Sequence, residues 1–75
     1  MKMPQIGDML VCYDRHKHLL FKALVVGSEG RLWTTSVIYA HRIYRYKPLD
    51  TWTFTPGDWK TMTSIPPQGN RWSVE

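Results

Sequence analysis

The chain has 75 residues, 43% of them hydrophobic and 21% charged, with a formal net charge of +4. One small domain with a modest core fits that length, and a deep cleft between domains does not. The composition excludes global disorder, and the charge favours acidic partners, nucleic acid among them.

Met1 to Gln5 contains Pro4 and is expected at an edge or frayed. Gly7-Asp8 is a turn signal, and Met9-Leu10-Val11-Cys12-Tyr13 reads as the first strand. The wholly polar Asp14-Arg15-His16-Lys17-His18 joins it to an antiparallel neighbour. Leu19 to Val26 is the most apolar stretch and reads as the second strand. Phe21, Ala23 and Val25 share one of its faces; Leu20, Lys22, Leu24 and Val26 share the other. Both faces are largely apolar, so this strand is covered on both sides or bends to serve two sheets. Gly27-Ser28-Glu29-Gly30 breaks the run, and Arg31 to Ala40 resumes it, so residues 19–40 form a hairpin. Arg31 to Ala40 is too long for one clean alternation; a bend near Ser36 resolves it.

His41 to Lys47 alternates and reads as a further strand. His41, Ile43, Arg45 and Lys47 lie on one face, Arg42, Tyr44 and Tyr46 on the other, and Pro48 ends it. Thr51-Trp52-Thr53-Phe54-Thr55 is strictly period-two, with Trp52 and Phe54 inward. Thr55-Pro56-Gly57-Asp58 fits a type II turn. The competing reading makes Thr55 a helix N-cap with Pro56 at the first helical position. Gly57 and the threonines after it are poor helix formers, which favours the turn and makes Trp59 to Ile65 the last strand. Pro66-Pro67-Gln68-Gly69-Asn70 is a breaker cluster. The domain is therefore 1–65, followed by a linker and tail over 66–75. Leu24, Val25, Trp33 and Trp52 are the expected core, and Trp72 is expected to be exposed or docked late.

Five or six short strands with frequent turns predict an all-β fold, a small antiparallel barrel or curled sheet. A Gly7-Asp8 turn opening a chain of short strands resembles the SH3-like barrels in element order and size.

Cys12 is the single cysteine, so no disulfide forms within the chain and a reducing compartment is expected. No apolar stretch at the start resembles a signal peptide, and none approaches bilayer length. The expectation is a soluble cytoplasmic protein with no membrane partner.

Catalytic and cofactor constellations are not found. Cys12 sits in an apolar strand, where a thiol is inert packing. No serine has a nucleophile-elbow context, and Gly27 and Gly30 lack the lysine that follows a phosphate loop. His16 and His18 place two imidazoles at i and i+2, but zinc takes three or four ligands and the spacing matches no finger. Neither enzyme, metal nor cofactor is expected.

The charge has a centre. Residues 1–40 carry five bases and three acids, and residues 49–75 carry two bases and three acids. Residues 41–48 carry Arg42, Arg45 and Lys47 and no acid. Cations to neutralise phosphate and rings on which bases stack are what a single-stranded nucleic-acid surface needs. The candidate binding residues are Arg42, Tyr44, Arg45, Tyr46 and Lys47, with Arg15 and Lys17 from the adjacent loop. Two alternatives use other features. A protein-interaction module would use exposed aromatics and the tail. A homo-oligomer would pair through an edge strand.

Overall fold

The computed structural model of the chain describes residues 3–64 and 69–75. The hairpin expected at 19–40 is its centre: β2 (Leu19–Glu29) and β3 (Leu32–Ala40) form the longest ladder. The turn is tighter than the Gly27 to Gly30 break suggested. β2 runs through Gly27 to Glu29, and Gly30 and Arg31 alone make the connection. Gly30 has φ 61°, which a two-residue hairpin loop commonly demands of its first residue.

β1 (Met9–Tyr13) pairs with β2, and β4 (Thr51–Phe54) pairs with β3. The last strand, β5 (Arg71–Val74), returns to pair with β1. The result is one antiparallel sheet in the order β4-β3-β2-β1-β5. A nine-residue helix, α1 (Pro56–Ser64), precedes β5.

Three register shifts curl this sheet. Leu20 and Val26 are extra residues on β2, and Ile38 is an extra residue on β3. Each such bulge kinks its strand and adds twist. The one at Leu20 lets consecutive residues, Leu20 and Phe21, both join one buried cluster with Cys12, Ala23 and Val37. That is how a strand apolar on both faces is accommodated. The bend expected near Ser36 lies two residues on, at Ile38.

Curling brings the two edges together by side chains. Trp52 on β4 and Trp72 on β5 stack at 5.5 Å with 26° between their planes. The backbone ladder does not close: β4 and β5 remain the edges of the sheet, so this is a curled sheet and not a barrel. Phe21 is the hub inside the curl, meeting Tyr44, Tyr46, Trp52 and Trp72 at 5.3–5.8 Å between ring centres. Leu10, Val25, Phe54 and Trp59 form a second buried cluster.

Several sequence expectations need correction. Thr55 to Ile65 is not a turn and strand, since α1 covers Pro56–Ser64. Thr55 Oγ1 accepts from the Asp58 amide (3.1 Å), and Asp58 Oδ2 accepts from the Thr55 amide (3.0 Å). This reciprocal cap, with Pro56 at the first helical position, starts the helix. Trp59 is then carried inward until 1% exposed. Burying a tryptophan contributes about 4–6 kcal/mol, more than the propensity cost of Gly57 and the threonines.

Residues 71–74 are not a tail but β5, and Trp72 packs on Phe21. Trp59, not Trp33 or Trp52, is the fully buried tryptophan; those two and Leu24 are half-buried. Pro4 is fully buried, not frayed. Ile65 and the linker residues Pro66, Pro67 and Gln68 lie outside the described residues. Among the described residues no helix is long and apolar enough to cross a membrane.

Candidate nucleic-acid interface

His41 to Lys47 is not a strand. It belongs to a loop, 41–50, that joins β3 to β4, and three of its amides find partners inside that loop. Tyr44 N donates to the His41 carbonyl (2.8 Å), Ile43 N to His41 Nδ1 (3.2 Å), and Lys47 N to Asp50 Oδ2 (2.8 Å). The period-two reading survives in part: Tyr44 and Tyr46 both turn onto Phe21, and Arg45 between them is exposed. The two rings are therefore not an open platform. Tyr44 is half-buried, its hydroxyl 4.0 Å from Cys12 Sγ and hydrogen-bonded by the Asn70 side chain. Burial pushes its pKa up to about 12. Burial likewise raises the Cys12 thiol pKa. Tyr46 keeps 36% of its surface exposed.

The loop 14–18 is the polar β1–β2 connection that its composition suggested. Asp14 Oδ1 accepts from the amides of His16 (2.8 Å) and His18 (2.9 Å), and Lys17 adopts φ 67°. The backbone hydrogen bond from His18 is the main cause of a lowered Asp14 pKa. His16 and His18 recruit no metal-ligating neighbours: among the described residues no three His, Cys, Asp or Glu side chains gather.

Topology brings these two loops together. β1 ends where β2 begins, β5 starts beside Tyr13, and β3 ends at Ala40 opposite Phe21; loop 41–50 then runs back along β3, where Leu49 and Asp50 bond to Val37, to reach β4 opposite Ser36. The first three of those points lie at one end of the antiparallel sheet, and the start of β4 does not. Arg15, Lys17 and Arg42 are placed at or next to that end, joined by Arg71, which the sequence reading left in a tail, and Arg45 and Lys47 follow on the returning loop. All six are exposed. The carboxylates of the two loops, Asp14 and Asp50, are engaged by backbone amides. Among the described residues the ion pairs are Asp14–His18 and Lys22–Glu75, so none of the six cations is paired with a carboxylate. Asp8 precedes β1, Glu29 ends β2, and Asp58 and Glu75 follow β4 and β5, all away from the Tyr13 end of the sheet.

A groove of about 630 Å³ opens between loop 14–18 and β5, lined by Tyr13, Asp14, Arg15, Lys17, Gly69, Arg71, Trp72 and Ser73. Gly69, at φ 78°, sits so close to the loop that a Cβ there would be 3.5 Å from Arg15 Cβ. Sequence reasoning found Arg15 and Lys17 but missed Tyr13, Arg71 and Trp72. The alternation Arg71-Trp72-Ser73-Val74 was the available signal, masked by the prolines before it. No protein-family model, no curated protein and no solved structure matches this chain.

Proposed function

We propose that this chain is a small non-catalytic module that binds nucleic acid through the basic end of its sheet. One observation carries the reading: six exposed cations come from three segments, the loops 14–18 and 41–50 and the start of β5, and among the described residues no carboxylate pairs with any of them. Cations kept free of acidic partners are available to displace counterions from phosphate. The partly exposed rings of Tyr46 and of Tyr13, the latter beside Arg71, offer faces on which a base can stack.

The test is a fluorescence-anisotropy titration with short single-stranded DNA and RNA at two salt concentrations. Affinity falls steeply with salt if this reading holds. Arg42→Ala weakens binding to every sequence and flattens the salt slope by about one unit. Absence of binding even at low salt sinks the reading.

A second reading, a protein-interaction module, is favoured by one feature of loop 41–50. Leu49 is 84% exposed at φ 75°, in a turn after Pro48, and Ile43 is 62% exposed. An apolar side chain held out at a conformational cost suits an anchor for a protein pocket. On that reading a protein partner is captured with weak dependence on salt, and capture is lost in Leu49→Gly.

A further inference from the structure

The groove between loop 14–18 and β5 is more specific than a charged surface requires. Its volume, about 630 Å³, lies within the range of about 300–1,000 Å³ typical of small-ligand pockets. Arg15, Lys17 and Arg71 bring three positive charges to its wall, and Asp14 brings one negative charge. Lys17 and Arg71 have no side-chain partner among the described residues, and Arg15 Nε donates to His16 Nε2 at 3.3 Å. The wall therefore carries two net positive charges. A terminal phosphate carries a charge of about −1.5 to −2 at neutral pH, and an internal phosphodiester only about −1.

One exposed ring sits beside these charges. Tyr13 is the cross-strand partner of Arg71 and is 37% exposed. Trp72, whose ring packs on Trp52 and Phe21 inside the curl, belongs to the strand that forms the groove's wall. Phosphate-matching charge next to an aromatic face is the chemistry of a nucleotide site.

We propose that this groove is a subsite for a nucleoside phosphomonoester, supplied either by the phosphorylated end of a single strand or by a free mononucleotide. It rests on the nucleic-acid reading above and names the group that this corner of the basic end receives. The lysine at φ 67° fits the assignment. Glycine would relax there, whereas Lys17 places an ammonium at the groove at a cost in backbone energy.

The experiment compares oligonucleotides of one sequence bearing a phosphate at the 5′ end, at the 3′ end, or at neither. In parallel, adenosine monophosphate, adenosine and inorganic phosphate are titrated while backbone amide resonances are followed by NMR. At least one phosphorylated oligonucleotide binds about tenfold tighter than the unphosphorylated one, as expected for an added charge-assisted contact. Adenosine monophosphate shifts the amides of Tyr13, Lys17 and Arg71 more than adenosine or phosphate does. Competition by adenosine monophosphate that removes only the phosphate-dependent gain identifies strand ends and free nucleotides as sharing the site. Lys17→Gly and Arg71→Gln abolish the phosphate preference. Lys17→Gly does so with a melting temperature equal to or above that of the parent, which a purely structural lysine would not combine with lost binding.

Equal affinity for all three oligonucleotides, with no shifts from the mononucleotide, overturns the subsite and leaves the nucleic-acid reading standing. Mononucleotide shifts in the groove without binding of any oligonucleotide sustain the subsite and overturn that reading. If neither ligand binds, both fall.

Discussion

Two elements close the concave face of the curled sheet, and they do so differently. α1 plugs one part with Trp59, which is almost completely removed from solvent and lies on Phe54. Loop 41–50 plugs the other with Tyr44 and Tyr46, whose rings meet Phe21 and stay partly exposed. The helix uses its large side chain wholly for the core. The loop divides its side chains between core and solvent, and its cations remain unpaired. Each element covers one buried cluster, Trp59 joining Leu10, Val25 and Phe54, and Tyr44 packing against Cys12, Leu20, Phe21, Ala23 and Val37, and the loop also presents Arg42, Arg45 and Lys47 to solvent. In a chain of 75 residues little stability can be spared, so the second arrangement depends on the first.

That contrast predicts the ranking of mutational effects. Trp59→Ala is the most damaging, at about 3–5 kcal/mol, because it empties a fully buried site. Chemical denaturation checks it, and a midpoint close to that of the parent would mean that the helix does not hold the core. Thr55→Ala removes one half of the reciprocal cap and costs about 0.5–2 kcal/mol. The loss appears as a lower melting temperature, and Thr55→Ser recovers most of it.

On the loop side the effects are smaller, and one has the opposite sign. Leu49 occupies a left-handed position after Pro48. Leu49→Gly relieves that conformation and raises stability by up to about 1 kcal/mol. A fall in melting temperature would show that the exposed leucine packs in solution. The smallest effect at neutral pH belongs to Tyr44→Phe, whose signature is its pH dependence. The Tyr44 pKa rises from 10.0 to about 12 on folding, with burial the first cause. The folded state therefore holds its proton where the unfolded state has lost it. The stabilisation is complete below pH 10 and is lost as pH rises toward about 12. Unfolding followed between those pH values has a shallower decline in Tyr44→Phe than in the parent. Equal declines would place the phenol in water.

Local pattern carried the strands and misread what followed them. The continuous apolar runs at Met9–Tyr13 and Leu19 onward became β1 and β2, as suits strands covered on both faces, and the Trp52-Thr53-Phe54 alternation became β4, as suits a half-buried edge. The same alternation misled at His41 to Lys47. There the amides find partners in His41 and Asp50, so no neighbouring strand is required. Propensity misled at Gly57, where a two-sided cap and a buried tryptophan outweigh it. The prolines at 66 and 67 concealed β5, whose pairing with β1 spans nearly the whole chain. Of the candidate site, Arg15, Lys17, Arg42, Arg45 and Lys47 were legible as charge. Arg71 and the groove were not.

The sequence alone determined an all-β chain with a single buried cysteine, a positive excess and a polar β1–β2 loop. Those properties follow from composition and from contacts between near neighbours. Only the tertiary structure decided that three bulges curl the sheet until Trp52 and Trp72 stack. It also decided that Tyr44 and Tyr46 serve the core before any ligand, and that Arg71 joins Arg15 and Lys17 around one groove. Each of these depends on residues far apart in the chain, and their meeting is set by strand order and register, which no local window contains.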